Sequence, residues 1–141
     1  SQMFAKSLPM AMVKGALKRL DMLRTMPELK EALWRNTNAL QSGLRNAGFN
    51  LGTTQTCITP VFLKGDIPEA MAMVNDLREN HGIFCSIVVY PVIPKGLIIL
   101  RLIPTTTHTQ EDIDETITAF SAIRESLENG TYKNIAASMM V

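Results

Sequence analysis

The run Leu97-Ile98-Ile99-Leu100-Arg101-Leu102-Ile103 is apolar except for one arginine, and it ends directly in Pro104-Thr105-Thr106-Thr107-His108-Thr109. So short an apolar segment, bounded by Gly96 and Pro104, reads as a β-strand. A guanidinium keeps its proton in any protein environment, so a fold that buries Arg101 must bring it an anion. No Asp or Glu lies within nine residues on either side, so the partner comes from elsewhere in the fold or from a ligand. The planar fork of arginine matches a carboxylate with two parallel hydrogen bonds, which makes a ligand carboxylate one candidate. The structural alternative is that Arg101 faces solvent on a sheet edge, or pairs with a distant acid such as Glu69 or Asp112. The arginine also interrupts the longest apolar stretch, leaving no segment of membrane-spanning length.

A length of 141 residues fits one domain with a true hydrophobic core. A net charge of +1 argues against a dedicated nucleic-acid or membrane surface. Cys57 and Cys85 stand too far apart for a metal knuckle and sit in apolar, strand-like runs, where reduced core thiols are expected. The start, Ser1-Gln2-Met3-Phe4-Ala5-Lys6, has neither an initiator methionine nor the regions of a signal peptide. It reads as a cut end, and the expectation is a piece of a longer, cytoplasmic protein.

Pro9 can open a helix through Arg24, with Ala16, Leu17, Leu20 and Leu23 on one face. Thr25-Met26-Pro27-Glu28 has the pattern of a capping box for a second helix, whose stripe is Leu29, Leu33, Leu40 and Leu44 with Trp34 adjoining, and whose stop is Gly48. Thr56 to Leu63 reads as a strand that Pro60 confines to an edge or a bulge. Asp66 to Glu69 caps a third helix running to about Arg78. Ile83 to Tyr90 and Leu97 to Ile103 are further strands, joined by Pro91-Val92-Ile93-Pro94-Lys95-Gly96. Thr109 and Asp112 cap a last helix that buries Ile113, Ile117, Phe120, Ile123 and Leu127, while the course from Thr131 to Val141 is left open. The order predicts one small α/β sandwich with a largely antiparallel sheet covered by helices.

No glycine-rich phosphate loop, zinc-ligand cluster or nucleophile elbow occurs, so neither a metal site nor a self-contained catalytic centre is expected. His81 falls in a helix-ending turn and is expected to be exposed, while His108 precedes a cap and can satisfy backbone groups. The nine methionines fall mainly on helices, where they fill cores or interfaces.

Three segments carry a resemblance to a known family: Phe4-Ala5-Lys6-Ser7-Leu8-Pro9; Ile58-Thr59-Pro60-Val61; and Tyr90-Pro91-Val92-Ile93-Pro94-Lys95-Gly96 followed by Leu100-Arg101-Leu102 and His108-Thr109. In this order they resemble the C-terminal part of the α-oxoamine synthases, pyridoxal-phosphate enzymes of the aspartate-aminotransferase fold. That family includes 8-amino-7-oxononanoate synthase, 2-amino-3-ketobutyrate CoA ligase, 5-aminolevulinate synthase and serine palmitoyltransferase. The likeness runs from Phe4 to about Leu127.

The resemblance implies that residues 1–141 are a single domain, the small C-terminal domain of a longer enzyme, with about three strands in a mainly antiparallel sheet. By it, Arg101 matches the arginine that binds the carboxylate of the amino-acid substrate, and Ser7 lies where relatives approach the cofactor phosphate of a neighbouring subunit in a homodimer. The turn from Pro91 to Gly96 would lie near the active-site mouth. The family joins an amino acid to an acyl-CoA. Its Schiff-base lysine, pyridine-pairing aspartate and ring-stacking histidine belong to the large domain, expected upstream of Ser1, so no catalytic residue is assigned here. Lys6, Lys14 and Lys18 do not sit in the family's lysine motif. The isolated piece is expected to be inactive, with pyridoxal phosphate bound mainly by the missing domain. The alternative is a free-standing module that binds a small carboxylate, or another protein, without catalysis.

Overall fold

Capping chemistry sets two of the helix starts as the sequence predicts. In the computed structural model, which describes residues 7–138, the Asp66 carboxylate accepts from the Glu69 N–H at 3.0 Å and Glu69 accepts from the Asp66 N–H at 2.9 Å. Thr109 and Asp112 make the same reciprocal pair. These boxes open α3 (Ile67–His81) and α4 (Gln110–Glu128). The remaining elements are α1 (Met10–Thr25), α2 (Pro27–Asn46), β1 (Thr59–Lys64), β2 (Ser86–Val88), β3 (Leu97–Leu102) and α5 (Thr131–Ser138).

The expected capping box at Thr25 does not form. Thr25 is the last residue of α1, and its hydroxyl donates to the Asp21 carbonyl at 2.9 Å. Pro27 forces the residue before it out of the helical region, so Met26, at φ −125° and ψ 70°, becomes the break without a side-chain cap. Gly48 does end the α2 turn, at φ 84°, where the Phe49 N–H reaches the Leu44 carbonyl at 2.9 Å.

The sheet has the order β1-β3-β2, with both pairings antiparallel. Pro60 lies on edge strand β1, as expected. The Phe62 N–H points away from β3 to the Asn50 carbonyl at 2.9 Å, and alternate N–H groups share a side, so the donor that Pro60 lacks would have faced outward too. Both flanking strands are shorter than the sequence suggests. β1 starts at Thr59 rather than Thr56 because the Thr56 hydroxyl accepts from the Ile58 N–H at 3.2 Å and the Thr54 hydroxyl donates to the Ile58 carbonyl at 2.9 Å. These local bonds replace the ladder. β2 loses its ends to the helix stop before it, where the Ile83 N–H donates to the Leu77 carbonyl, and to the turn after it, where Val92 donates to Val89.

Alternation places Val61, Ile98, Leu100 and Leu102 in one core with Leu40 and Leu44 of α2, Met73 and Leu77 of α3, and Phe120 and Ile123 of α4. A methyl group at Gly43 would collide with Ile117, so this glycine lets α2 and α4 approach closely. Helix α1 departs from expectation in another way. It buries none of its residues, and Leu17, Leu20 and Leu23 are exposed.

The segment whose course the sequence leaves open becomes α5, docked on α3. Tyr132 is fully buried and donates its hydroxyl to Asp76 at 2.5 Å. Burial pushes the Asp76 carboxyl up, yet the hydrogen bonds from Asn80 and Tyr132 and the charge of His81 outweigh it, leaving the group below its ordinary value. A depressed carboxylate contributes stability above its unfolded pKa of about 3.9 and loses that contribution as pH falls through its folded value. Tyr132→Phe is therefore expected to cost roughly 1–2 kcal/mol at pH 7 and progressively less below about pH 4, by urea denaturation across that range. A loss of equal size at both ends would show that the contribution of the hydroxyl does not depend on the charge of Asp76.

Met139, Met140 and Val141 lie outside the described residues, as do Phe4 to Lys6.

Candidate functional site

Arg101 is the penultimate residue of the central strand, facing Pro60 on one side and Ser86 on the other. Since Ile98, Leu100 and Leu102 fill the core, alternation turns Arg101 to the opposite, open face of the sheet, where it is exposed. It is thus neither buried nor on an edge strand. Its Nε donates to the Ser86 hydroxyl at 3.0 Å. Among the described residues, no carboxylate lies within ion-pair distance of the guanidinium. Its two terminal nitrogens make no hydrogen bond among them, so the edge that can grip a carboxylate with two parallel bonds is available.

The two acids that could have quenched it are engaged elsewhere. Glu69 is buried, closing its capping box. Asp112 accepts from the Thr109 N–H at 2.7 Å and from the Thr109 hydroxyl at 2.9 Å, bonds that hold its carboxyl below the ordinary range. Both of these acids are therefore engaged at helix starts, and among the described residues the hydrogen-bond partner of the Arg101 side chain is the neutral Ser86 hydroxyl.

The other sequence-derived residues do not join Arg101. Ser7 is exposed ahead of α1, and no hydrogen bond links it to Arg101. The Nδ1 of His108 accepts from the Thr105 N–H at 2.8 Å, so this ring organises its loop, in keeping with the backbone-satisfying reading. His81 is exposed at the end of α3. In the turn after β2, the Lys95 ammonium lies 5.0 Å from the centre of the Tyr90 ring. Among the described residues, no three His, Cys, Asp or Glu side chains converge as metal ligands.

Two residues near this end of the sheet escape a reading based on apolar periodicity. Asn36 and Gln41 are polar, yet both are buried on the core side of α2. Asn36 donates to the carbonyls of Thr105 and His108 at 2.9 and 2.7 Å, and Gln41 to the Thr56 carbonyl and the Thr59 hydroxyl at 2.9 and 3.1 Å. The available signal was a pair of amides interleaved with the Leu33-Leu40-Leu44 stripe.

Both cysteines are free. Cys85 is buried, and burial pushes its thiol up to about 11, so it stays protonated at neutral pH. A thiol-reactive disulfide reagent at pH 7.5 is expected to label the half-buried Cys57 in the folded chain and Cys85 only after unfolding. Equal labelling rates would contradict this.

A pyridoxal phosphate needs an amine for its carbonyl carbon, an acid for its ring nitrogen and donors for its phosphate. Pro60 and Ser86, which flank Arg101, supply neither amine nor acid. The described residues fit a substrate carboxylate better than they fit the cofactor itself.

Comparison with known proteins agrees with this architecture. The family model described as aminotransferase class I and II matches residues 1–120. The chain is 70% identical over 139 residues to the cysteate-C-fatty acyltransferase of Capnocytophaga ochracea, a match covering 99% of this chain and 33% of that protein. It is 37% identical over 127 residues to the 8-amino-7-oxononanoate synthase of Exiguobacterium sibiricum, covering 89% of this chain and 32% of that one. Among solved structures, serine palmitoyltransferase from S. paucimobilis with bound PLP-myriocin superimposes with a TM-score of 0.77 at 32% identity, over 89% of this chain and 31% of that chain. The chain thus spans about a third of the length of the curated relatives it matches. The five helices and three-stranded antiparallel sheet of the described residues match the C-terminal domain of the aminotransferase fold. On fold, family model and relatives alike, the chain belongs to the class I and II aminotransferases, within the α-oxoamine synthase family.

Proposed function

We propose that the full-length protein is a pyridoxal-phosphate-dependent acyltransferase that condenses an amino acid with a fatty acyl-CoA, and that this segment is its C-terminal small domain. The observation that carries the reading is Arg101, an exposed guanidinium steadied by Ser86 on an open sheet face with no acid in ion-pair reach among the described residues. Its role is to bind the carboxylate of the amino acid. A two-point grip fixes rotation about the bond to Cα, and so decides which Cα bond stands perpendicular to the cofactor ring. Pyridoxal phosphate, when bound, supplies the electron sink for the carbanion at Cα. The Ser86 hydroxyl, by accepting from Nε, turns both terminal nitrogens outward to the substrate.

The amino acid we propose is cysteate, on the strength of the 70% identity to the Capnocytophaga protein named for it. The lysine that holds the cofactor, and most of the cofactor site, would belong to a large domain upstream. The working form would be a cytoplasmic homodimer in which Ser7 approaches the cofactor phosphate of the neighbouring subunit. Consistent with a non-membrane setting, no described helix is long and apolar enough to cross a bilayer.

The test is an absorption spectrum of the full-length protein with pyridoxal phosphate, before and after cysteate, serine or glycine. A cofactor band that shifts with cysteate at the lowest concentration supports the reading and its substrate. Absence of bound cofactor, with no shift, would instead favour a module that binds a carboxylate without chemistry.

A further inference from the structure

Arg101 is poorly anchored for a residue that must meet a substrate carboxylate. It stands one residue from the end of β3, where strands fray, and among the described residues its side chain has one hydrogen bond, to Ser86. A displacement of about 1 Å at such a clamp is enough to cost a large factor in rate or binding. Something must hold the backbone beneath it.

We propose that Asn36 and Gln41 are positioning residues for Arg101, which set the place where its guanidinium meets the amino-acid carboxylate. This rests on the carboxylate-binding reading above. The two amides pin the strand end from both sides. Asn36, only 4% exposed, bonds to the carbonyls of Thr105 and His108, in the loop that begins immediately after Leu102. Gln41, 7% exposed, bonds to Thr56 and Thr59 at the entry to β1. Thr59 pairs with Leu102, and the next residue, Pro60, pairs with Arg101 itself. Both amides stand on the same helix, five residues and therefore about 7.5 Å apart along its axis, so one rigid body fixes both strand ends.

Core filling does not explain these residue types. A buried amide costs free energy unless its hydrogen bonds are made, and a leucine at either position would extend the apolar stripe of α2 without that cost. An apolar side chain fills space but does not select one course for a loop. Here Asn36 bonds to two carbonyls of one loop, and Gln41 joins the segment before β1 to the first residue of that strand, which does select their course.

The experiment uses the full-length, cofactor-loaded enzyme and reads the equilibrium affinity for cysteate, the KM for acyl-CoA and the thermal midpoint. The variants are Asn36→Ala, Gln41→Ala, Thr59→Val and Thr59→Ser, each alone and with Arg101→Ala, with Leu44→Ala as a variant that loosens only the core. Asn36→Ala, Gln41→Ala and Thr59→Val are expected to weaken cysteate binding about tenfold with the acyl-CoA KM unchanged, and Thr59→Ser to restore it. Leu44→Ala is expected to lower the midpoint without changing cysteate affinity. In the Arg101→Ala background the amide substitutions should add nothing, because they act through the arginine. Unchanged cysteate affinity in folded variants, equal weakening of both substrates, or an effect that persists in full without Arg101 would each overturn the proposal. If Arg101→Ala itself leaves cysteate affinity unchanged, the carboxylate reading falls and this inference falls with it. If Arg101→Ala weakens binding but the amide variants do not, only the positioning role is lost.

Discussion

Arg101→Ala in the full-length protein is expected to weaken amino-acid binding by about 100- to 1,000-fold, the loss that follows when a charged, two-point hydrogen-bonded contact is removed. The same substitution should leave folding stability within about 0.5 kcal/mol of wild type, since an exposed side chain away from the core contributes little to it. That combination is the signature of a group kept for its ligand. The guanidinium is exposed, has Ser86 as its hydrogen-bond partner, and faces no acid within ion-pair distance among the described residues. Arg101→Lys should recover only part of the affinity, because an ammonium keeps the charge but loses the planar fork. Ser86→Ala should have a smaller effect in the same direction, since Nε loses the acceptor that orients it. Titration of the cofactor band with the amino acid measures all three. Wild-type affinity in Arg101→Ala would remove the role assigned here.

Phe120→Ala is expected to cost about 3–5 kcal/mol, the range for truncating a buried aromatic to a methyl group. Phe120 is fully buried at the middle of α4 and meets Phe49 edge to face, with ring centres 6.0 Å apart and planes at 80°. Phe49 is held in turn by Arg124, whose guanidinium lies 4.5 Å from the ring centre and whose Nη1 donates to the Ala47 carbonyl at 2.7 Å. The cavity would therefore open among neighbours already fixed by other contacts, which limits how far they can relax into it. Phe120→Leu should recover much of the loss by refilling the volume. Equilibrium urea denaturation measures both, and a cost below about 1.5 kcal/mol for the alanine variant would mean that the site collapses after all.

Two boundaries show why some local signals held and others failed. Asp66 and Thr109 each precede a helix and have an acidic residue three positions on, so both halves of the capping box could form with no competitor. Thr25-Met26-Pro27-Glu28 shows the same spacing, but an uninterrupted helix reached Thr25 first and took its hydroxyl. A capping pattern is local; whether the residue is still inside the preceding helix is not.

The sequence by itself determined the order of the elements up to α4, a largely antiparallel sheet, the confinement of Pro60 to an edge or a bulge and the candidacy of Arg101, because periodicity, proline chemistry and an unneutralised cation in an apolar run are all short-range facts. Only the tertiary structure decided that β3 is the central strand and that Arg101 stands on its open face, since strand order and side depend on which residues the helices cover. It alone also showed that Glu69 and Asp112 are engaged at helix starts and that Asn36 and Gln41 grip the loops at the strand ends. Asn36 meets partners 69 and 72 residues away and Gln41 meets partners 15 and 18 residues away, and no local pattern records a hydrogen bond between segments that only folding brings together.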